Sequence, residues 1–178
     1  MRRCRECAGR RLAFARARSA VAYDEAVRLL VHAWKERGLR RLSAAAAEIT
    51  ADALEPSGEP LVFVPPDPER RRARGHHPAE ALARELGARW DVPVLALLAR
   101  ARGGARQRGL TLSERRANVR GAFVAGPSPP AVVLVDDVYT TGATANVAAS
   151  ALRRAGARRV EVVTFARAVR GYTVTTQA

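Results

Sequence analysis

Two stretches of the chain, Leu61-Val62-Phe63-Val64 and Ala131-Val132-Val133-Leu134-Val135, are apolar at every position rather than at every second one. Half-exposed strands alternate, whereas strands apolar throughout belong to a parallel sheet covered on both faces. A third run, 160–165, has the same character, and Ser19 to Tyr23 reads as a short edge strand. Between the strands the pattern shifts to a helical period. From Asp24, a capping residue, Ala26, Val27, Leu29, Leu30, Ala33 and Trp34 recur at helical spacing and Gly38 ends the run. An alanine-rich helix is predicted over 39–54, then a break at Pro56-Ser57-Gly58-Glu59-Pro60. A helix over 79–90 leads to Val92–Leu98, read as one strand near an edge because it contains Pro93. A helix over 144–155 stops at Gly156. Strand and helix in alternation predict an α/β fold, a parallel sheet flanked by helices, with ligands beyond the carboxyl ends of its strands.

The segment 100–120 breaks this rhythm. It is polar and arginine-rich, contains Gly103, Gly104 and Gly109, and reads as a long loop leading into a short helix. Loops of that length are usually functional or disordered.

Composition narrows the class. The chain has 178 residues, is 48% hydrophobic and 27% charged, and lacks any apolar run near the ~20 residues a membrane-spanning helix needs. Met1-Arg2-Arg3-Cys4-Arg5 has no apolar signal-peptide core, so a cytoplasmic location is expected. The formal net charge of +14 is carried almost wholly by arginine, and Lys35 is the only lysine. Such a surface permits contact with polyanions, although genome composition accounts for it equally well. Cys4 and Cys7 form a CxxC pair, half of the four ligands of a structural zinc site.

The chemistry concentrates in Val132-Val133-Leu134-Val135-Asp136-Asp137-Val138-Tyr139-Thr140-Thr141-Gly142-Ala143-Thr144. After the strand, Thr140 to Thr144 turn into a helix whose first amides and positive dipole end make an anion site. Two carboxylates beside such a site would repel a bare phosphate. They agree with it if the ligand carries both a monophosphate and a polyol, with Asp136 and Asp137 accepting hydrogen bonds from ribose hydroxyls. Asp-Asp at a strand end also suits magnesium, and Gly-Ala-Thr also suits a plain helix cap.

This segment resembles the phosphoribosyl-pyrophosphate (PRPP) signature of type I phosphoribosyltransferases. The wider chain is similar to the competence-associated ComF family through Ala20-Val21-Ala22-Tyr23-Asp24, Val64-Pro65, Arg70 to Gly75, Gln107-Arg108-Gly109-Leu110 and Arg115 to Phe123. The resemblance implies a type I phosphoribosyltransferase fold over 19–178, preceded by an N-terminal extension, 1–18, carrying the partial zinc ribbon of Cys4 and Cys7. By the same resemblance Asp136 and Asp137 contact the ribose 2- and 3-hydroxyls, and Thr140, Thr141, Gly142, Ala143 and Thr144 hold the 5-phosphate. Pro65, Arg70, Arg71, Arg72, Arg74 and Gly75 fall in the pyrophosphate loop, while Arg102, Gln107 and Arg115 fall in the lid. The implied cofactors are Mg²⁺ with PRPP, and Zn²⁺ at the incomplete cysteine site.

Three positions depart from the family pattern. Two of four ribbon cysteines are missing, His76-His77-Pro78 replaces a Phe-Asn-Gln run after Gly75, and aromatic Tyr139 replaces an aliphatic residue. The implied activity is transfer of phosphoribosyl from PRPP to an unidentified acceptor, in the service of DNA uptake. Single-stranded DNA, a competence helicase or recombination protein, and a second copy of the chain are the implied partners. The alternatives are a basic single-stranded-DNA-binding adaptor with a vestigial transferase site, and a nucleobase-salvage transferase.

Overall fold

In a computed structural model of the chain, the residues described are 11–36, 39, 41–67, 76–101 and 122–168. Among them, five parallel strands form the main sheet: β1 (Arg16–Ala22), β2 (Leu61–Phe63), β3 (Val94–Leu95), β6 (Ala131–Tyr139) and β7 (Arg159–Arg167), in the spatial order β1-β7-β6-β2-β3. Helices α1 (Glu25–Glu36) and α2 (Leu42–Ala53) connect β1 to β2, α3 (Pro78–Trp90) connects β2 to β3, and α4 (Ala143–Arg154) connects β6 to β7. Strands β4 (Leu98–Arg100) and β5 (Phe123–Ala125) pair antiparallel in a separate ribbon.

The unbroken apolar strands are buried on both faces, as their sequence requires. Val132 and Leu134 of β6 join the core under α4, while Val133 and Val135 join the core under α1, α2 and α3. In the second core Trp34 is fully buried, meets Phe165 edge-on at 6.3 Å, and donates its indole N–H to Ser43 Oγ at 3.0 Å. The alanines of α2 let it lie close: Ala46 and Ala47 are buried, and Thr50 returns its hydroxyl to the Ala46 carbonyl at 2.6 Å.

β1 docks on β7 through charge as well as backbone. Glu161 of β7 is 2% exposed and accepts from Arg16 Nε at 2.6 Å, with Arg18 Nη2 at 3.7 Å and Arg159 also paired to it. Burial, and then the adjacent Arg16, lower the Arg18 pKa from its ordinary value.

Three expectations change. β6 runs through Asp136 and Asp137 to Tyr139 instead of stopping at Val135, because β7 continues beside it with Asp136 opposite Thr164 and Val138 opposite Ala166. The single strand expected over 92–98 is two, β3 in the main sheet and β4 in the ribbon. Leu29, assigned to the apolar face of α1, is 57% exposed, and Val31 is buried in its place. No helix among the described residues is long and apolar enough to cross a membrane.

Candidate functional site

From β2 the chain winds through α3 outward to β3, and from β6 it winds through α4 the other way to β7. The winding therefore reverses between the neighbours β2 and β6, and their carboxyl ends border a crevice. The crevice is an open cleft of about 520 Å³. Val64, Pro65, Pro66 and Asp67 after β2 form one part of its wall, and Asp136, Asp137 and Val138 of β6 with Thr140 and Thr144 form another. Tyr23 and α1 residues Arg28, Val31, His32 and Lys35 contribute a third, with His76 to Ala79 and Arg100 completing the lining.

The two acids meet different surroundings. Asp137 accepts from Lys35 Nζ at 2.6 Å, so the only lysine of the chain is spent on this carboxylate. Asp136 accepts the backbone N–H of Asp137 at 2.9 Å. Its pKa is pushed up to about 7, first by burial and then by the charge of Asp137, against the opposing effects of that backbone hydrogen bond, Lys35 and Arg100.

The turn into α4 is built around Gly142, whose φ of 72° is left-handed and which provides no side-chain cap. Its carbonyl already accepts from Asn146 N at 2.9 Å, and the Ala143 amide lies 3.4 Å from Thr141 Oγ1. The Ala143 amide is thus met weakly within the turn, and the other first-turn amides have no intrahelical acceptor. Tyr139, whose ring meets Phe14 edge-on and carries Arg167 over its face at 4.8 Å, packs against this turn; a Cβ on Gly142 would stand 2.2 Å from the Tyr139 hydroxyl. Directly inside the turn lies a hollow of only about 20 Å³, bordered by Gly142, Ala143 and Thr164, room for a water molecule and no more.

Pro65, Asp136, Asp137, Thr140 and Thr144 therefore share one cleft, Gly142 and Ala143 border the hollow behind it, and exposed Thr141 lines neither. Arg70, Arg71, Arg72, Arg74, Gly75, Arg102, Gln107, Arg115, Cys4 and Cys7 lie outside the described residues. The histidine pair is structural in part: His77 Nδ1 accepts the Glu80 amide at 3.2 Å as the cap of α3, and His76 Nε2 bonds the Trp34 carbonyl at 2.6 Å. Reading the sequence for motifs missed Arg28, His32 and Lys35. Their spacing of four and three residues along α1 was the available signal, one polar stripe beside the apolar one.

Among the described residues no three His, Cys, Asp or Glu side chains gather as a metal site. Magnesium needs less: it keeps several waters and takes one or two carboxylates with the phosphates of its substrate. The oxygen donors of the acid pair fit that demand.

The reversed winding, the acid pair on β6 and the glycine turn define a type I phosphoribosyltransferase fold. Residues 36–175 match the phosphoribosyl transferase domain family. Competence protein F of Haemophilus influenzae is 35% identical over 116 residues, covering 62% of this chain and 51% of that protein. DNA utilization protein YhgH of Salmonella typhi is 32% identical over 176 residues, covering 89% of this chain and 75% of that one. The chain belongs to the phosphoribosyl transferase domain family and, within it, to the ComF family. It spans about half the length of Competence protein F (51%). Among solved structures, TT1426 of Thermus thermophilus is similar with a TM-score of 0.41 at 19% identity, covering 79% of this chain and 86% of that one. The purine phosphoribosyltransferase of Pyrococcus horikoshii gives a TM-score of 0.33 at 17% identity, covering 75% of this chain and 84% of that one.

Proposed function

We propose that the cleft binds PRPP and transfers its phosphoribosyl group to an acceptor, in a protein that serves competence-linked handling of single-stranded DNA with helicase or recombination partners. The observation that carries the reading is the acid pair on β6 sharing one cleft with Thr140 and Thr144 at the mouth of an uncapped helix. The turn takes the 5-phosphate, and the carboxylates take the ribose hydroxyls. The bond between ribose C1 and pyrophosphate breaks, pyrophosphate leaves with the electron pair, and the acceptor forms the new bond while losing a proton. Bound magnesium would shield the charge on the departing pyrophosphate. The chain's own work is to orient the sugar and to stabilise that charge with positioned donors.

Calorimetry with PRPP and Mg²⁺ tests the reading. The chain is expected to bind, and the double variant Asp136→Asn/Asp137→Asn to bind at least about 10-fold more weakly, since hydrogen bonds to charged acceptors contribute about 1.5–3 kcal/mol each. No binding by the parent, or equal binding by the variant, rejects it.

A second reading, a nucleic-acid adaptor, is favoured by the net charge of +14 and by exposed Arg153, Arg154, Arg158 and Arg159 between the end of α4 and the start of β7. These arginines sit at the end of the sheet opposite the cleft, so both activities can coexist in one molecule.

A further inference from the structure

Two walls of the cleft carry groups suited to a phosphorylated sugar, and the third has different chemistry. It consists of Tyr23 with Arg28, Val31, His32 and Lys35 of α1. Arg28, His32 and Lys35 follow one another at steps of four and three residues, so they stand in a single stripe, one helical turn apart. The stripe is anchored at both ends. Asp24 Oδ1 accepts the Val27 amide at 2.8 Å at the start of α1, and Lys35 Nζ donates to Asp137 at 2.6 Å near its end. Tyr23 is fixed beside it by its own amide, which donates to the Arg167 carbonyl at 2.7 Å.

Lys35 is committed to Asp137, but the other two polar side chains of the stripe are uncommitted. His32 is exposed and has no hydrogen-bond or ion-pair partner among the described residues. Arg28 meets Glu25 at 3.3 Å, yet the two side chains are 56% and 83% exposed, and a pair so open to water contributes little. The guanidinium therefore exchanges Glu25 for a ligand with little loss. Arg28 lies two turns from Lys35, about 10 Å of helical rise, so it serves a part of the cleft away from the acid pair. Buried Val31 and half-buried Tyr23 line the same wall and give it an apolar and aromatic surface.

A molecule seated on this wall meets an apolar surface, an imidazole and a guanidinium fork, all in one cleft with the acids that take the sugar. Guanidinium with imidazole selects a carboxylate or a phosphate and repels a cation. We propose, resting on the PRPP reading, that α1 is the acceptor wall and that the acceptor is an anion. It is a flat ring bearing a carboxylate or a phosphate, which Arg28 and His32 bind while its reacting atom faces the ribose. An uncharged nucleobase lacks the group that Arg28 would hold.

The full-length chain, Arg28→Met, Arg28→Lys and His32→Ala are loaded with ribose 5-phosphate and Mg²⁺, which fill the sugar site without permitting transfer, and titrated by calorimetry with matched probes. Orotate is compared with uracil, and phenyl phosphate with phenol, so that only the anionic group differs within each pair. PRPP with Mg²⁺ is titrated into the unloaded proteins. The parent is expected to bind at least one anion about 10-fold more tightly than its uncharged twin; orotate marks a carboxylate acceptor and phenyl phosphate a phosphate one. Arg28→Met should reduce affinity for that anion about 5- to 20-fold, and His32→Ala should reduce it less. Arg28→Lys should recover part of the loss, because it keeps the charge without the fork. PRPP affinity should stay at the parent's value in all three. Exposed positions tolerate such changes, and unchanged melting temperatures check that the variants are folded. A parent that binds neither anion, or binds each no better than its twin, overturns the acceptor assignment and leaves PRPP binding as the judge of the PRPP reading. Arg28→Met that keeps the parent's preference overturns it as well. An equal loss of PRPP affinity in Arg28→Met gives the arginine to PRPP and also overturns it. A parent that does not bind PRPP overturns the PRPP reading and the acceptor role with it.

Discussion

Asp136 and Asp137 are neighbours in sequence with different surroundings. Lys35 satisfies Asp137, whereas Asp136 is half-buried beside a like charge, and its pKa is pushed up to about 7. A carboxyl group whose folded-state pKa lies above its unfolded value of 3.8 keeps its proton in the folded chain after the unfolded chain has lost it. That contribution to stability is complete below about pH 4 and disappears as pH rises through about 7. The melting temperature of the parent should therefore fall between pH 5 and pH 8 relative to that of Asp136→Asn, which cannot titrate. Parallel thermal melts of the two proteins across that range check the difference, and curves that stay parallel contradict it. The same residue sets a second dependence: ribose hydroxyls donate best to the ionised form, so PRPP affinity should rise with pH through the same interval and flatten in Asp136→Asn.

The glycine turn is the element on which the site depends. Gly142→Ala would put an L residue at φ 72° and a methyl group 2.2 Å from the Tyr139 hydroxyl. The backbone part alone costs about 1–2 kcal/mol, enough to lower the melting temperature by several degrees in a chain of this size. Adding Tyr139→Phe should relieve part of the clash but none of the backbone cost, so calorimetric melts of both variants separate the two. At this scale the sequence was legible where one rule acted alone. Val132 to Val135 are apolar without interruption, and they lie buried between two layers. Polarity misled at the next step, because Asp136 and Asp137 stay in the strand: their backbone follows β7 while their side chains open on the cleft. Val92–Leu98 misled for a different reason. Its two ends pair with different partners, β2 on one side and β5 on the other, and partner choice is a tertiary property. Lys35 and Arg100 reach the site across 102 and 36 residues of chain from Asp137 and Asp136, so no local motif could contain them.

For the whole molecule, the two proposed activities are separable among the described residues, where Arg153, Arg154, Arg158 and Arg159 stand at the end of the sheet opposite the cleft. Binding of a labelled oligothymidine, followed by fluorescence anisotropy, should weaken with salt at a log–log slope of about −0.7 for each phosphate neutralised. With aromatic residues at 5% of the chain, stacking contributes little and the dependence should be steep. The Asp136→Asn/Asp137→Asn variant should retain it, because the arginines at the end of α4 are remote from the cleft. Absent or salt-insensitive binding removes the adaptor reading.

The order in which the chain leaves the ribosome sets a constraint on how the sheet is completed. β1 is made long before its neighbour in the sheet, β7, to which Arg16 is joined through Glu161, 145 residues further along. Until β7 emerges, β1 lacks this partner strand, its arginines lack their buried carboxylate, and α1, tethered to β1, cannot be fixed where Lys35 meets the acids of β6. The cleft therefore forms only after β7 has been made, and the nascent chain carries an unpaired, highly charged strand while everything between the two is translated. Contacts so distant in sequence close slowly, and the row of arginines on that waiting strand repels its like on neighbouring nascent chains.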